Sequence, residues 1–245
     1  MCTLIVATHA FSDTPLLVAA NRDEALDRPA AGPTVRAVGP RRALAPTDLV
    51  AGGTWLGVND RGVLVAITNR FGVPVDHARA SRGHLVTAAL AHGTAKDAYE
   101  ALREVDGTGQ NGFHLLMADA EGAFLTWGDG ARLYHLVLQP GLHIITERSF
   151  DATGAPAPRE ALIQRLAPTP GGPAPEEAVW QRLLTTRAEP SYDGVVVRWP
   201  ERNYGTRSAT FVRLGPAPRF LHAPGPPDEA PFEDHTEALV TLLGR

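Results

Sequence analysis

Short apolar runs of strand length, each closed by Gly, Pro or Asp, fill the first 70 residues and return after residue 112. Cys2 to His9, Leu16 to Asn21, Thr54 to Asn59 and Val63 to Thr68 make the first block. Phe113 to Ala118, Ala123 to Trp127, Leu133 to Leu138 and His143 to Thr146 make the second. Such runs are too short for self-supporting helices and suit strands. Asn59-Asp60-Arg61-Gly62, Asp119-Ala120-Glu121-Gly122 and Gly128-Asp129-Gly130 supply the turn chemistry of hairpins, with Gly62 free to take a positive φ. Between the blocks, Ser81 is placed to cap a helix through Leu85, Ala89 and Leu90, and Thr94 one through Ala98, Ala101 and Leu102. Helical spacing returns at Arg159 to Leu166 and Glu176 to Arg187 on either side of a Pro/Gly-rich loop, Pro168 to Pro175. Ala209 to Leu214 and Arg219 to His222 read as closing strands, and Pro224 to Pro231 as a proline-dense surface segment. Strand blocks interleaved with helix pairs predict an α+β fold of sheets packed on one another and covered by helices. A chain of 245 residues that is 44% hydrophobic suits one substantial core, so a single domain over residues 1–245 is expected.

The charge pattern narrows the partners. A net charge of -4 and the lack of a basic stripe argue against nucleic acid. One cysteine rules out an internal disulfide framework and a multi-Cys metal site, which fits a reducing compartment, so a cytoplasmic location is expected. The N-terminal run has no basic lead and is interrupted by His9, Ser12 and Asp13, unlike a signal peptide or a membrane span. The histidines show no H-E-x-x-H spacing, Gly52-Gly53 lacks the lysine of a phosphate loop, and Ser81 is not in a G-x-S-x-G elbow. No metal and no cofactor are expected, and His9 reads as structural.

Four places carry candidate chemistry. Cys2 follows the initiator Met1, which is ordinarily trimmed when the next side chain is small. The mature chain would then carry a thiol and a free α-amine on one residue. An α-amine of ordinary pKa, roughly 7.7 to 8.0, accepts a proton near neutral pH, so nucleophile and base arrive together. The competing reading of a lone cysteine is a small apolar side chain at a strand end. Asn21-Arg22-Asp23-Glu24 follows Leu17 to Ala20, and it falls beside Cys2 if the first two runs pair. There an arginine favours the thiolate and a carboxylate can hold the α-amine, although a solvated turn also explains the tetrad. Asn69, at the end of the fourth run, is a donor suited to an oxyanion and also a common turn residue. Arg207, in Asn203-Tyr204-Gly205-Thr206-Arg207-Ser208, reads as an anion-binding or thiolate-supporting group, or as an ordinary surface arginine.

Met1-Cys2-Thr3-Leu4, Ala20-Asn21-Arg22-Asp23-Glu24, Gly52-Gly53-Thr54-Trp55-Leu56-Gly57-Val58-Asn59, Gly62, Thr68-Asn69 and Tyr204-Gly205-Thr206-Arg207-Ser208 stand in the order and spacing of a known family. They resemble the NRDE family, also called the transport and Golgi organisation 2 family. The resemblance spans nearly the whole chain and implies an N-terminal nucleophile hydrolase fold, a four-layer αββα sandwich with two stacked antiparallel sheets. A looser resemblance runs to the bile-salt hydrolase and penicillin V acylase branch of that superfamily. In that branch a Cys behind the initiator Met is the nucleophile, and an Asn after an N-x-x-G-x-x-x-A-x-x-N hairpin donates to the oxyanion. Asn59, Gly62, Ala66 and Asn69 reproduce the spacing. Arg22 and Asp23 fall, one residue out of register, in the region of that branch's thiol-supporting Arg and amine-binding Asp.

Two departures bear on substrate. Related sequences usually carry an asparagine after the strand that here runs Leu142-His143-Ile144-Ile145, where this chain has Thr146-Glu147-Arg148. Glu147 there either orients an amine-bearing substrate or lies outside the site. A Trp-Pro-Lys-like segment common in the family is replaced by Ala155-Pro156-Ala157-Pro158, so substrate preference does not carry over. The resulting expectation is a cysteine amidohydrolase cleaving a non-peptide C-N bond of a small molecule. Its catalytic set is Cys2, Arg22, Asp23, Asn69 and Arg207, with Asn21, Trp55 and Glu147 toward the substrate. The alternatives are a non-catalytic binding or trafficking protein for a hydrophobic ligand such as haem or lipid, and a hydrolase fold that has lost its activity.

Overall fold

A computed structural model describes residues 2–150 and 157–245. Expectations about Met1 and about Ala155-Pro156 lie outside the described residues. β1 (Cys2–Phe11) and β2 (Thr14–Ala25) form an antiparallel pair. Their near-continuous apolar runs follow from burial on both faces. Leu4, Val6, Leu16 and Val18 enter one core cluster, while Ile5, Ala7, Leu17 and Ala19 enter another on the opposite side. β3 (Ala30–Val38), β4 (Arg41–Asp48), β5 (Leu56–Asn59) and β6 (Leu64–Asn69) follow, then α1 (Gly83–Ala89) and α2 (Ala95–Arg103). Next come β7 (Phe113–Ala118), β8 (Ala123–Gly128), β9 (Leu133–Leu138) and β10 (Gly141–Thr146), then α3 (Pro158–Leu166) and α4 (Glu177–Leu184). β11 (Arg198–Trp199), β12 (Tyr204–Leu214), β13 (Arg219–Ala223), β14 (Glu233–Asp234) and α5 (Thr236–Leu242) complete the described strands and α-helices.

Two antiparallel sheets result. One runs β10-β1-β2-β12-β13-β14, with β11 on β12, and the other runs β3 to β9 in chain order. Leu4, Val18, Leu56, Ala66, Leu116 and Val212 pack between the sheets. α1 and α2 cover the outer face of the second sheet, burying Leu85, Val86, Leu90 and Leu102 against Val65, Leu115 and Met117. α3 and α4 cover the first, burying Ile163, Trp180 and Leu184 against Ile5, Leu17 and Phe211. This is the expected αββα layering. No helix among the described residues is long and apolar enough to cross a membrane.

Several local expectations needed revision. β3 and β4 are strands that the residue pattern does not predict. β3 is an exposed edge strand holding Gly32 and Pro33, and β4 has only Ala43, Leu44 and Ala45 as an apolar core. Pro46 is tolerated in β4 beside a register shift between Ala31 and Thr34, where a ladder hydrogen bond is already forgone. β2 continues through the polar tetrad to Ala25, because the longer-than-expected β12 pairs with it that far. Thr94 caps α2 as expected, accepting from the Asp97 N–H at 3.0 Å, but Arg82 replaces Ser81 at the α1 start.

Asn59 is the fastener of the β5–β6 hairpin. Its Oδ1 accepts from Arg61 N and Val63 N, both at 2.9 Å, and its Nδ2 donates to Leu90 O at 2.9 Å and His92 O at 2.8 Å. Gly62 takes the left-handed conformation at φ 76° that the turn requires. Asn59→Ala leaves several buried backbone groups unpaired and is expected to cost about 2–4 kcal/mol, measured by denaturant unfolding.

Candidate active site

The β1–β2 register sets Cys2 directly opposite Arg22. Alternation then sends Asn21 and Asp23 to the helix-covered side of the sheet. Cys2 is 8% exposed and lines a cleft of about 350 Å³ where β1 begins and β4 and β6 end, together with Arg22, Asp23, Trp55 and Asn69. Its Sγ–H points to Asp23 O at 3.7 Å. Burial pushes the thiol up from its ordinary value, so the resting side chain keeps its proton and needs a base to attack.

Arg22 is fixed from three sides. Its Nη2 donates to Asp48 Oδ2 at 3.2 Å, Glu24 lies 3.9 Å away, and its guanidinium sits 4.3 Å from the centre of the Trp55 ring. Asp48 also receives Arg28 Nε at 2.7 Å and the Val50 and Ala51 N–H groups at 3.0 Å. Burial works against the Asp48 charge, but Arg28 and these backbone donors hold its carboxyl below the usual range.

Asp23 has no exposed surface. Its Oδ1 accepts from Thr206 Oγ1 at 2.6 Å and its Oδ2 faces Arg159 Nη1 at 3.4 Å. Burial pushes its carboxyl up to about 6, against the opposing pull of Arg159. Asn69 ends β6 on the cleft wall, and its side-chain amide has no hydrogen-bond partner among the described residues.

Three expected site residues lie elsewhere. Asn21 spends its Nδ2 on Leu184 O and Val195 O, both at 2.9 Å, tying β2 to the helical layer. Glu147 is buried, pairs with Arg159 Nη1 at 3.2 Å and is not in the cleft wall, which makes it a second-carboxylate neighbour of Asp23's cation. Arg207 occupies the register shift of β12 and lines a separate cavity of about 50 Å³ with Ser208 and His222. Arg22 and Trp55 border both cavities.

Arg28, Asp48, Arg82, Arg159 and Thr206 join the site without a signal of their own in the sequence. Thr206 stood inside a segment already singled out. Asp48 and Arg28 belong to the β3–β4 neighbourhood, which was not legible as strand. Arg159 gives no local signal, since only the docking of α3 on β10 brings it between two carboxylates.

A family model described as Transport and Golgi organisation 2 matches residues 1–217. The Transport and Golgi organization protein 2 homolog of Bos taurus is 28% identical over 228 residues, covering 80% of this chain and 81% of that protein. Among solved structures, the Caenorhabditis elegans ortholog of N-acylethanolamine-hydrolyzing acid amidase aligns at a TM-score of 0.56 and 14% identity, covering 86% of this chain and 92% of that chain. Penicillin V acylase from Agrobacterium tumefaciens aligns at 0.51 and 14% identity, covering 91% and 83%. At these identities the likeness concerns the fold: the αββα sandwich is of the N-terminal nucleophile hydrolase type.

Proposed function

The chain belongs to the transport and Golgi organisation 2 family, and from that premise we propose that it is a cysteine-dependent N-terminal nucleophile amidohydrolase. Its substrate is a small molecule cleaved at a non-peptide amide once Met1 is removed. The observation that carries this reading is the position of Cys2 at the head of β1, inside a cleft that also holds Arg22, Asp23 and Asn69, whose amide has no partner among the described residues. The solved structures of like fold are, by name, an acylase and an acid amidase, and that lends the reaction class support.

In the proposed reaction the freed α-amine of Cys2 takes the thiol proton, and sulfur adds to the amide carbonyl carbon. The Asn69 amide donates to the oxyanion. Collapse breaks the C–N bond, with the α-ammonium returning its proton to the departing amine, and water then cleaves the thioester to acid and free thiol. Asp23 in its ionised form holds the α-ammonium, and Arg22 supports the thiolate. The alternative of a hydrophobic-ligand carrier finds little support in a cleft walled by Arg22, Glu24, Arg28 and Asp48.

The first test is the intact mass of the purified protein together with hydrolysis of a panel of N-acyl amides. A mature chain starting at Cys2 that turns over none of them would falsify the reaction class. The Asp23 carboxyl sets a pH limit. With its pKa at about 6, kcat/KM is expected to fall as pH drops through that value, because the protonated form no longer holds the ammonium. Asp23→Asn is expected to lower kcat/KM at pH 8 and to remove this acid limb. An unchanged limb in that variant assigns the titration to another group.

A further inference from the structure

The cleft wall contains four arginines, and three of them have carboxylate partners. Arg22 and Arg28 meet Asp48 at 3.2 and 2.7 Å, and Arg79 meets Asp76 at 3.6 Å. Arg82 has no carboxylate partner among the described residues. Among the described residues its single hydrogen bond runs from Nη1 to Gly112 O at 3.0 Å, and Nε and Nη2, one edge of the guanidinium fork, have no acceptor there. The position is fixed by close backbone packing. A Cβ on Gly53 would lie 2.8 Å from the Gly83 carbonyl carbon, and one on Gly83 would lie 3.1 Å from Thr54 O, so the segment carrying Arg82 sits flush against the Gly53-Thr54 backbone. Arg82 is half-buried, and burial pulls its pKa down against the opposing pull of Glu24, which lies beyond ion-pair distance.

We propose that Arg82 is the carboxylate receptor of the site, so that the amide cleaved at Cys2 also bears a carboxylate held by Nε and Nη2. A guanidinium edge matches the two oxygens of a carboxylate in a way that a point cation does not. One guanidinium edge without a carboxylate contact calls for a monoanion. A dianion would leave excess negative charge beside Glu24, which shares the cleft. For the cleavage step the inference rests on the hydrolase reading above, whereas for binding it stands on the cleft alone.

Two matched pairs of probes test it. N-Hexanoylglycine is compared with N-hexanoylglycinamide, and the mono-N-methylamide of adipic acid with its methyl ester. These place the carboxylate on the amine side and on the acyl side of the scissile bond. The mature protein is expected to prefer the anionic member of at least one pair in kcat/KM by on the order of 10- to 100-fold. Arg82→Met is expected to bring that ratio close to one, and Arg82→Lys to keep part of it. The ratio is taken within one protein sample, so a smaller folded fraction in a variant does not alter it. In parallel, calorimetry on Cys2→Ala is expected to show saturable binding of the preferred anionic probe that Cys2→Ala/Arg82→Met loses. Arg82-dependent binding without turnover by the mature chain retains the receptor and removes the hydrolase reading. Turnover with no charge preference in either pair, or a preference untouched by Arg82→Met, overturns the receptor and leaves the hydrolase reading in place.

Discussion

Cys2→Ala is expected to abolish amide turnover, with a loss on the order of 10^4-fold or more, while the thermal midpoint stays close to that of the parent chain. A nucleophile that forms the acyl intermediate has no substitute in its cleft, which is why single removals of such residues cost nearly the whole chemical advantage. Stability is another matter. The side chain is small, and its only polar contact among the described residues is a long thiol-to-carbonyl approach to Asp23 O at 3.7 Å. The loss should therefore be of order 1 kcal/mol. A companion protein separates nucleophile from base. A chain carrying one extra residue ahead of Cys2 keeps the thiol but converts its α-amine into an amide nitrogen, and it is expected to lose as much activity as Cys2→Ala. Intact mass after brief exposure to substrate should show an acyl adduct on the mature chain and none on either variant. Undiminished turnover by the extended protein would mean that another group supplies the base.

The largest stability effect is expected at Arg159. Its Nη1 lies between Asp23 Oδ2 at 3.4 Å and Glu147 Oε2 at 3.2 Å, and its Nη2 donates to Tyr192 O at 2.6 Å. Arg159→Met keeps the aliphatic bulk and removes the cation, which leaves two buried carboxylates facing each other. Breaking a buried pair in this way costs about 3–5 kcal/mol, since the remaining charge stays desolvated. The deficit has a pH signature. The folded pKa of Asp23, about 6, already lies above its ordinary 3.8, so ionising it opposes folding. That opposition is absent below about pH 4, develops as pH rises, and is complete above about 6. Without Arg159 the Asp23 carboxyl rises further, so the variant should be close to the parent in denaturant unfolding near pH 4 and show its full deficit at pH 8. The triple variant Asp23→Asn, Glu147→Gln, Arg159→Met should recover much of the loss at pH 8. A deficit independent of pH would point to lost packing of the arginine stem in place of charge burial.

These two residues also mark what could be read from the chain. Cys2 stands out by position, because a lone thiol behind the initiator at the head of an apolar run is visible in one dimension. Arg22, Asp23 and Asn69 were reachable for the same reason: each lies in or directly after a strand run, and pairing of neighbouring runs is a local matter. The layer order was legible because strands and helices carry different periods. Arg159 carries no such mark, since its value comes from α3 docking beside the end of β10, far from Asp23 in sequence. Arg82 likewise depends on the tight approach of Gly53 to Gly83, which no pattern of residue types announces.

Glu147 and Asn21 show the same limit from the other side. Each is polar and near a site motif, which made it a candidate substrate contact, yet tertiary packing turns the first toward Arg159 and the second toward the carbonyls of Leu184 and Val195. By itself the sequence determined the strand that opens on Cys2, the turn residues and the stacking of sheets under helices, because these follow from chemistry and periodicity within short stretches. Only the tertiary structure decided which charges meet. Partners such as Asp23 and Arg159, or the lack of a carboxylate beside Arg82 among the described residues, are set by how distant elements pack, and a buried charge is stabilised or penalised by whatever that packing places within a few ångströms.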